Sequence, residues 1–357
     1  MKTKAKKQIY ALGAICMAVV VFLSSLFFLG GKDSSSASTP DSEPALQESS
    51  QGAGLGGGGG ESGGTDLGGG GESGGADLGG GGGKSFLFSV LTNKSQRIYL
   101  RQDSKGDYTG KGEHGFVGDV KYYLEDSSYE NPLYYLGLTA KNSGMQAYQA
   151  EIELVNVTNE LIPYAAIDKQ ETGEKNKYVV NYYPFDYLTD GLQGLSPMGQ
   201  DVKYTVQEQL YYQFVRETYL NVPESLKQTL IELAQENNIE ANSQTVITDV
   251  VSYIQNAAYY DYYYANVDYP DDKDMVTYFL AEHKRGVCRH FAAAATMMFR
   301  ALGIPARYTI GFAVQVEANV KLEYDGDGHA WTEIYLQGYG WMPLEVTGGT
   351  IYTGGMS

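Results

Sequence analysis

The chain has 357 residues, with 26 Lys and Arg against 43 Asp and Glu, and its formal net charge of −17 argues against nucleic acid partners and against docking on anionic lipid through a basic patch. Its length leaves room for about two domains, less whatever part of it does not fold. Cysteine occurs only at positions 16 and 288.

At the N-terminus, Lys2, Lys4, Lys6 and Lys7 precede an uncharged run from Ile9 to Gly31. That run exceeds the apolar core of a cleavable signal peptide and suits a spanning helix, which needs roughly 20 apolar residues. Residues 1–31 therefore read as a cytoplasmic tail and transmembrane anchor, with the lysines inside and everything after Lys32 outside the membrane. A cleaved signal peptide, cut near Ser35-Ser36-Ala37, is the alternative. Ile15 stands where a lipoprotein signal needs a small residue, so Cys16 reads as part of the membrane helix. Cys288 is then the single thiol on the outer side and has no intramolecular disulfide partner. A leftover thiol in an exported chain points to reactivity or to pairing between molecules.

Residues 32–84 are rich in Gly, Ser and Glu, and the unit from Leu55 to Asp66 recurs over Leu67 to Asp77 and starts again at Leu78. One leucine per repeat cannot offset the ordering entropy of so many glycines, so this reads as a flexible tether of roughly 40 Å reach. Residues 85–200 carry short alternating runs, among them Gln96 to Arg101, Ala150 to Val155 and Tyr178 to Tyr182, which predict a small antiparallel sandwich or barrel. No catalytic constellation stands out there, and His114 sits alone in a Gly-rich loop.

From residue 201 to 357 helical signals lead. Pro223 opens a predicted helix to about Asn237, and Ser243 caps another whose apolar face includes Val246, Ile247, Val250 and Ile254. A tyrosine cluster from Tyr259 to Tyr264 and an acidic turn follow, then a helix from about Met275 to His283. Cys288 begins an Ala- and Met-rich helix that ends near Gly303, where the unpaired N–H groups and dipole of the first turn favour an anion and so suit a thiolate. Pro305 stops that helix, and a strand begins over Ala306 to Phe312. The hairpin at Asp325 to Gly328 leads into a strand opening at His329, and Gly338 turns into a third from Gly340 to Glu345. A thiol on a helix, with a base and a carboxylate on neighbouring strands, is a geometry for acyl transfer.

Three ordered motifs carry a family likeness: Arg285-Gly286-Val287-Cys288-Arg289-His290-Phe291, Leu302-Gly303-Ile304-Pro305-Ala306-Arg307-Tyr308, and His329-Ala330-Trp331-Thr332-Glu333 with Gly340-Trp341-Met342-Pro343. Together they resemble the transglutaminase-like superfamily, in particular its bacterial membrane-anchored branch. The resemblance implies an α+β, papain/transglutaminase-like core, a nucleophile helix packed on an antiparallel sheet, behind a small β-rich domain. It further implies Cys288 as nucleophile, His329 as base and Glu345 as the carboxylate that orients the imidazole, a departure from the commoner aspartate. Glu333 is the rival carboxylate, but four residues along the same strand put it about 13 Å from His329. The oxyanion would be met by the backbone N–H of Cys288 and an upstream side chain, assigned to Tyr262. His290 points away from Cys288 on the helix and reads as packing. Trp331 and Trp341 read as core and site-wall residues.

Neither a cofactor nor a metal is implied. The expected protein is an extracytoplasmic thiol enzyme that forms a thioester on Cys288 and cross-links, deamidates or hydrolyses envelope proteins or peptides. The alternative is a catalytically silent binding or scaffold module with the same fold. Members of the resembled branch often carry further membrane helices after this domain. None follows Thr347 here, which reads as a compact version or a truncated chain.

Overall fold

The structure is a computed structural model that describes residues 86–111, 115–118, 131–183, 202–262, 269–270 and 272–348, all within the compact unit Leu78–Ser357. The expected anchor over residues 1–31, the linker over 32–84, His114, Tyr263 and Tyr264 lie outside the described residues. Among those described, no helix is long and apolar enough to cross a membrane.

In chain order the elements are β1 (Phe88–Thr92), β2 (Gln96–Lys105), β3 (Asp107–Tyr108), β4 (Phe116–Val117), α1 (Tyr135–Asn142), β5 (Tyr148–Leu154), β6 (Ile162–Pro163), β7 (Ala166–Glu171) and β8 (Lys177–Tyr182). They continue with α2 (Val202–Thr218), α3 (Glu224–Glu236), α4 (Val246–Ala257), β9 (Tyr259–Tyr260), α5 (Met275–Thr277, continued as a π-helical turn over Tyr278–His283), β10 (Arg285–Gly286), α6 (Cys288–Ala301), β11 (Ala306–Val316), β12 (Lys321–Tyr324), β13 (His329–Leu336) and β14 (Gly340–Leu344). This is the expected mixed core, a helix on antiparallel sheet.

The two larger sheets run β12-β1-β5-β8-β7 and β14-β13-β11-β2-β6. Their composition changes one sequence expectation. A boundary near residue 200 does not separate the strands, because β2 pairs with β11 over Tyr308 to Val316 and β1 pairs with β12. The eleven-residue β11 passes from one packing environment to the other. Its first half lies beside β13, while Phe312, Val314 and Val316 join Phe88, Val90, Ile98, Leu100 and Ile152 in the sandwich core. Ile98 and Leu100 of β2 and Phe312, Val314 and Val316 of β11 alternate into that core, which fixes their register.

Helix α1 falls inside the stretch read as strands. Asn131 caps the turn before it, its side chain accepting from Leu133 N–H at 3.0 Å. Gly137 is required by close approach, since a Cβ there would lie 2.4 Å from the Ala166 carbonyl on β7.

The second core surrounds α6. From His290 to Ala301 every residue of this helix is buried, with α3 and α4 on one side and the β13 sheet on the other. Its alanines let the backbone approach the sheet closely: the Thr332 hydroxyl on β13 donates to the Ala292 carbonyl at 2.9 Å and lies 3.1 Å from the Thr296 hydroxyl. Gly303, with φ of 83°, ends the helix in the left-handed conformation expected after a C-cap. Pro223 immediately precedes α3, and Val250 and Ile254 of α4 are buried, as the sequence predicts.

Candidate active site

The loop before α6 decides where the thiol sits. Val287 is extended and has no side-chain oxygen to cap the helix. The His290 imidazole serves instead, Nδ1 accepting the Val287 N–H at 2.9 Å. Rings of Phe279 and Tyr269 hold this imidazole at centroid distances of 5.8 and 5.1 Å. Gly286 leaves room for it, because a Cβ at 286 would lie 2.5 Å from His290 Nδ1. Cys288 thus enters at the first helical position, half-buried and free of any disulfide. The sequence reading of His290 as packing is incomplete: it packs and also braces the thiol's loop.

His329 is the first residue of β13, opposite Gly311 of β11. Its Nε2 meets Glu345 Oε2 at 2.7 Å, and the neighbouring Cys288 side chain also raises the imidazole's proton affinity. Glu345 follows β14 directly and is nearly buried, at 8% exposure. Besides His329, its Oε2 accepts from the Tyr99 hydroxyl at 2.8 Å and its Oε1 from the Thr347 N–H at 3.0 Å. The Gln255 side chain of α4 donates to the Glu345 carbonyl at 3.1 Å and fixes the backbone. The structure therefore gathers Cys288, His329 and Glu345 at one site, with His329 and Glu345 in direct contact.

Electrostatics follow from that geometry. Burial opposes a charged imidazole, but the Glu345 charge and hydrogen bond, together with the neighbouring Cys288 side chain, outweigh it, and His329 is pushed up to about 10. For Glu345, burial again opposes ionisation, while His329, the Thr347 N–H and the Tyr99 hydroxyl pull its carboxyl down to about 2. At neutral pH the pair is imidazolium and carboxylate.

Glu333, the rival carboxylate, is occupied elsewhere. It is fully buried between Arg101 of β2, at 3.1 Å, and Arg307 of β11, and it accepts from the Tyr164 hydroxyl. Burial raises a carboxyl in such a place, yet the two guanidinium charges hold Glu333 below its usual range. Trp331 donates from its indole to Tyr164 at 2.6 Å and is buried 6.0 Å from the His329 ring. Trp341 lies under the Arg307 guanidinium at 3.9 Å, in the core.

Tyr262 is 60% exposed, and its hydroxyl donates to Asp327 Oδ2 at 3.1 Å, two residues before His329. That hydrogen bond raises its pKa. That bond holds the Tyr262 hydroxyl on Asp327 and not on the thiol. Sequence reasoning missed Tyr99 altogether, since it lies on β2 in a stretch with no catalytic signature. Arg97, 3.8 Å from Glu345 and 5.4 Å over the Tyr99 ring, was missed with it. Among the described residues no group of three or more His, Cys, Asp or Glu is placed to hold a metal ion.

A thiol at a helix start, with an imidazole and carboxylate on the adjoining sheet, belongs to a defined class: residues 231–346 match the model of the transglutaminase-like superfamily, and this part of the chain is a transglutaminase-like domain. The chain is 25% identical over 288 residues to the uncharacterized protein YebA of Bacillus subtilis (strain 168), covering 71% of this chain and 37% of that protein. It is 35% identical over 77 residues to a protein-glutamine gamma-glutamyltransferase of Pseudomonas aeruginosa, covering 21% of this chain and 12% of that one. The chain thus spans well under half the length of these relatives. The crystal structure of the periplasmic domain of TgpA from Pseudomonas aeruginosa aligns with a TM-score of 0.47 at 16% identity, over 73% of this chain and 87% of that one.

Proposed function

We propose that this protein is an extracytoplasmic thiol acyl-transfer enzyme, anchored through residues 9–31, that acts on carboxamide or peptide groups of envelope proteins or peptides. The observation that carries this reading is the His329–Glu345 pair beside Cys288, with His329 pushed up to about 10. In the proposed cycle the Cys288 thiolate adds to a carboxamide carbonyl carbon, and the oxyanion is met by the Cys288 backbone N–H at the start of α6. His329 then gives its proton to the departing nitrogen, which leaves as ammonia or an amine, and a thioester remains on Cys288. An incoming amine or water loses its proton to the neutral His329, displaces the thiolate, and restores the imidazolium. Glu345 stays ionised throughout and stabilises that charge. Tyr262 is the side chain proposed to assist at the oxyanion, which requires it to leave Asp327.

The test uses the full-length protein with a glutamine-containing peptide and a fluorescent primary amine, following amine incorporation and ammonia release together. Wild type should give one or both, and Cys288→Ala and His329→Ala neither. No turnover by wild type, together with Cys288 alkylation no faster than that of free cysteine, would leave the fold as a silent binding module.

A further inference from the structure

Glutamate in place of a shorter carboxylate brings one more rotatable bond, and with it a freedom that an orienting group must lose. The structure shows what removes it. Both carboxylate oxygens of Glu345 are held from sides other than the imidazole: Oε1 by the Thr347 N–H at 3.0 Å, and Oε2 by the Tyr99 hydroxyl at 2.8 Å. The oxygen that receives Tyr99 is the one that meets His329 at 2.7 Å. We propose that Tyr99, on a strand outside the family-matched residues 231–346, is a positioning residue that makes Glu345 a workable partner for His329.

Tyr99 is well placed to hold a position. It is 7% exposed, its ring meets the Trp331 edge at 5.3 Å and 76°, and the Arg97 guanidinium covers it. Register across three strands sets the spacing. Gly311 of β11 pairs with Arg101 on one side and His329 on the other, so Tyr99, opposite Ala313, lies two residues beyond the His329 row on the same face. Small residues at those β11 positions keep the face open: a Cβ at Gly311 would lie 2.8 Å from the Trp331 ring. The phenol therefore reaches over β11 to the carboxylate. It follows that β2, far upstream in the chain, completes the site, and that the orienting carboxylate is incomplete without it.

The role of Glu345 as orienting group rests on the acyl-transfer reading, so the experiment reads the thiol directly. In the full-length protein the rate of Cys288 alkylation by iodoacetamide is measured from pH 5 to 9 for wild type, Tyr99→Phe, Glu345→Gln and the double variant. Tyr99→Phe keeps the ring and its packing and removes one hydrogen bond to a charged group, so alkylation at neutral pH should slow roughly three- to tenfold. In the Glu345→Gln background the same change should cost less than about twofold, because the residue through which Tyr99 acts has lost its charge. Equal slowing in both backgrounds, or none in wild type, overturns the proposal. Glu345→Asp provides a second series. The shortened arm withdraws from Tyr99, so Tyr99→Phe should add nothing to it, whereas a merely structural tyrosine would slow both to the same extent. If wild type fails to transfer a glutamine peptide to an amine while the coupling persists, the acyl-transfer reading falls and the positioning role stands.

Discussion

Replacing Glu345 by glutamine keeps the side-chain shape and removes one charge, which isolates what the carboxylate does for His329. Burial alone would push the imidazole below its ordinary 6.5; the Glu345 charge and hydrogen bond, with the Cys288 contacts, push it up to about 10. Without the carboxylate, burial should bring His329 back toward its ordinary 6.5. At pH 7.5 about one molecule in ten or fewer would then carry imidazolium, where nearly every wild-type molecule does. Cys288 alkylation should accordingly fall by roughly tenfold at pH 7.5, and the deficit should shrink toward pH 5.5, where the ring is protonated in both proteins. Turnover should fall further, by up to about 10⁴, because the new amide can donate to Nε2 and impose the wrong tautomer. Mass-spectrometric labelling rates of the Cys288 peptide across this pH range provide the assay. Alkylation equal to wild type within twofold at pH 7.5 refutes the assignment of Glu345 as the partner of His329.

Three further outcomes are expected. Gly286→Ala forces the His290 ring off a contact of 2.5 Å and breaks its bond to Val287, so urea unfolding should show a loss of about 1–3 kcal/mol and Cys288 should label more slowly. Glu333→Gln leaves the buried Arg307 and the half-buried Arg101 without their counter-charge; it should cost about 3–5 kcal/mol in urea while leaving the labelling rate of the folded fraction unchanged, since Glu333 does not touch His329. The pH dependence of stability has two limbs. Glu345, depressed from 4.5 to about 2, contributes stability that is complete above its ordinary value and is lost as pH falls through about 2. His329, raised from 6.5 to about 10, contributes stability complete below 6.5 and lost as pH rises through about 10. Urea midpoints should therefore be highest between these limits, and His329→Ala should flatten the alkaline limb.

Much of this was legible because the informative residues are local. The start of α6 at Cys288, its stop at Gly303 and the strands at Ala306, His329 and Gly340 each carry a turn or capping signal within a few residues. Strand rise alone sets Glu333 aside, whereas Glu345 as the orienting carboxylate is what the family resemblance implies. Pairing across the chain is different. Nothing in the alternation of Gln96 to Arg101 says that its partner lies more than 200 residues on, so the sandwich was expected to close within residues 85–200 when β11 and β12 in fact complete it. Tyr99 is one of 31 tyrosines and its neighbourhood has no motif, so only the register across β2, β11 and β13 singles it out. His290 was within reach, because a polar side chain three residues past an N-cap is the position from which a capping box answers back.

That register has an evident guarantor on the same face of the sheet. Arg101 of β2, Arg307 of β11 and Glu333 of β13 contribute one charge from each of the three strands that carry Tyr99, Gly311 and His329. Slipping any strand by one residue turns its charge to the opposite face and leaves the others buried without a partner. A buried ionic network is weak evidence for net stability, but it penalises wrong pairings strongly. Here the pairing it protects is the one that sets Tyr99 and His329 about one carboxylate apart, so Glu333, passed over as the orienting group, serves the site by fixing the strands on which the site is built.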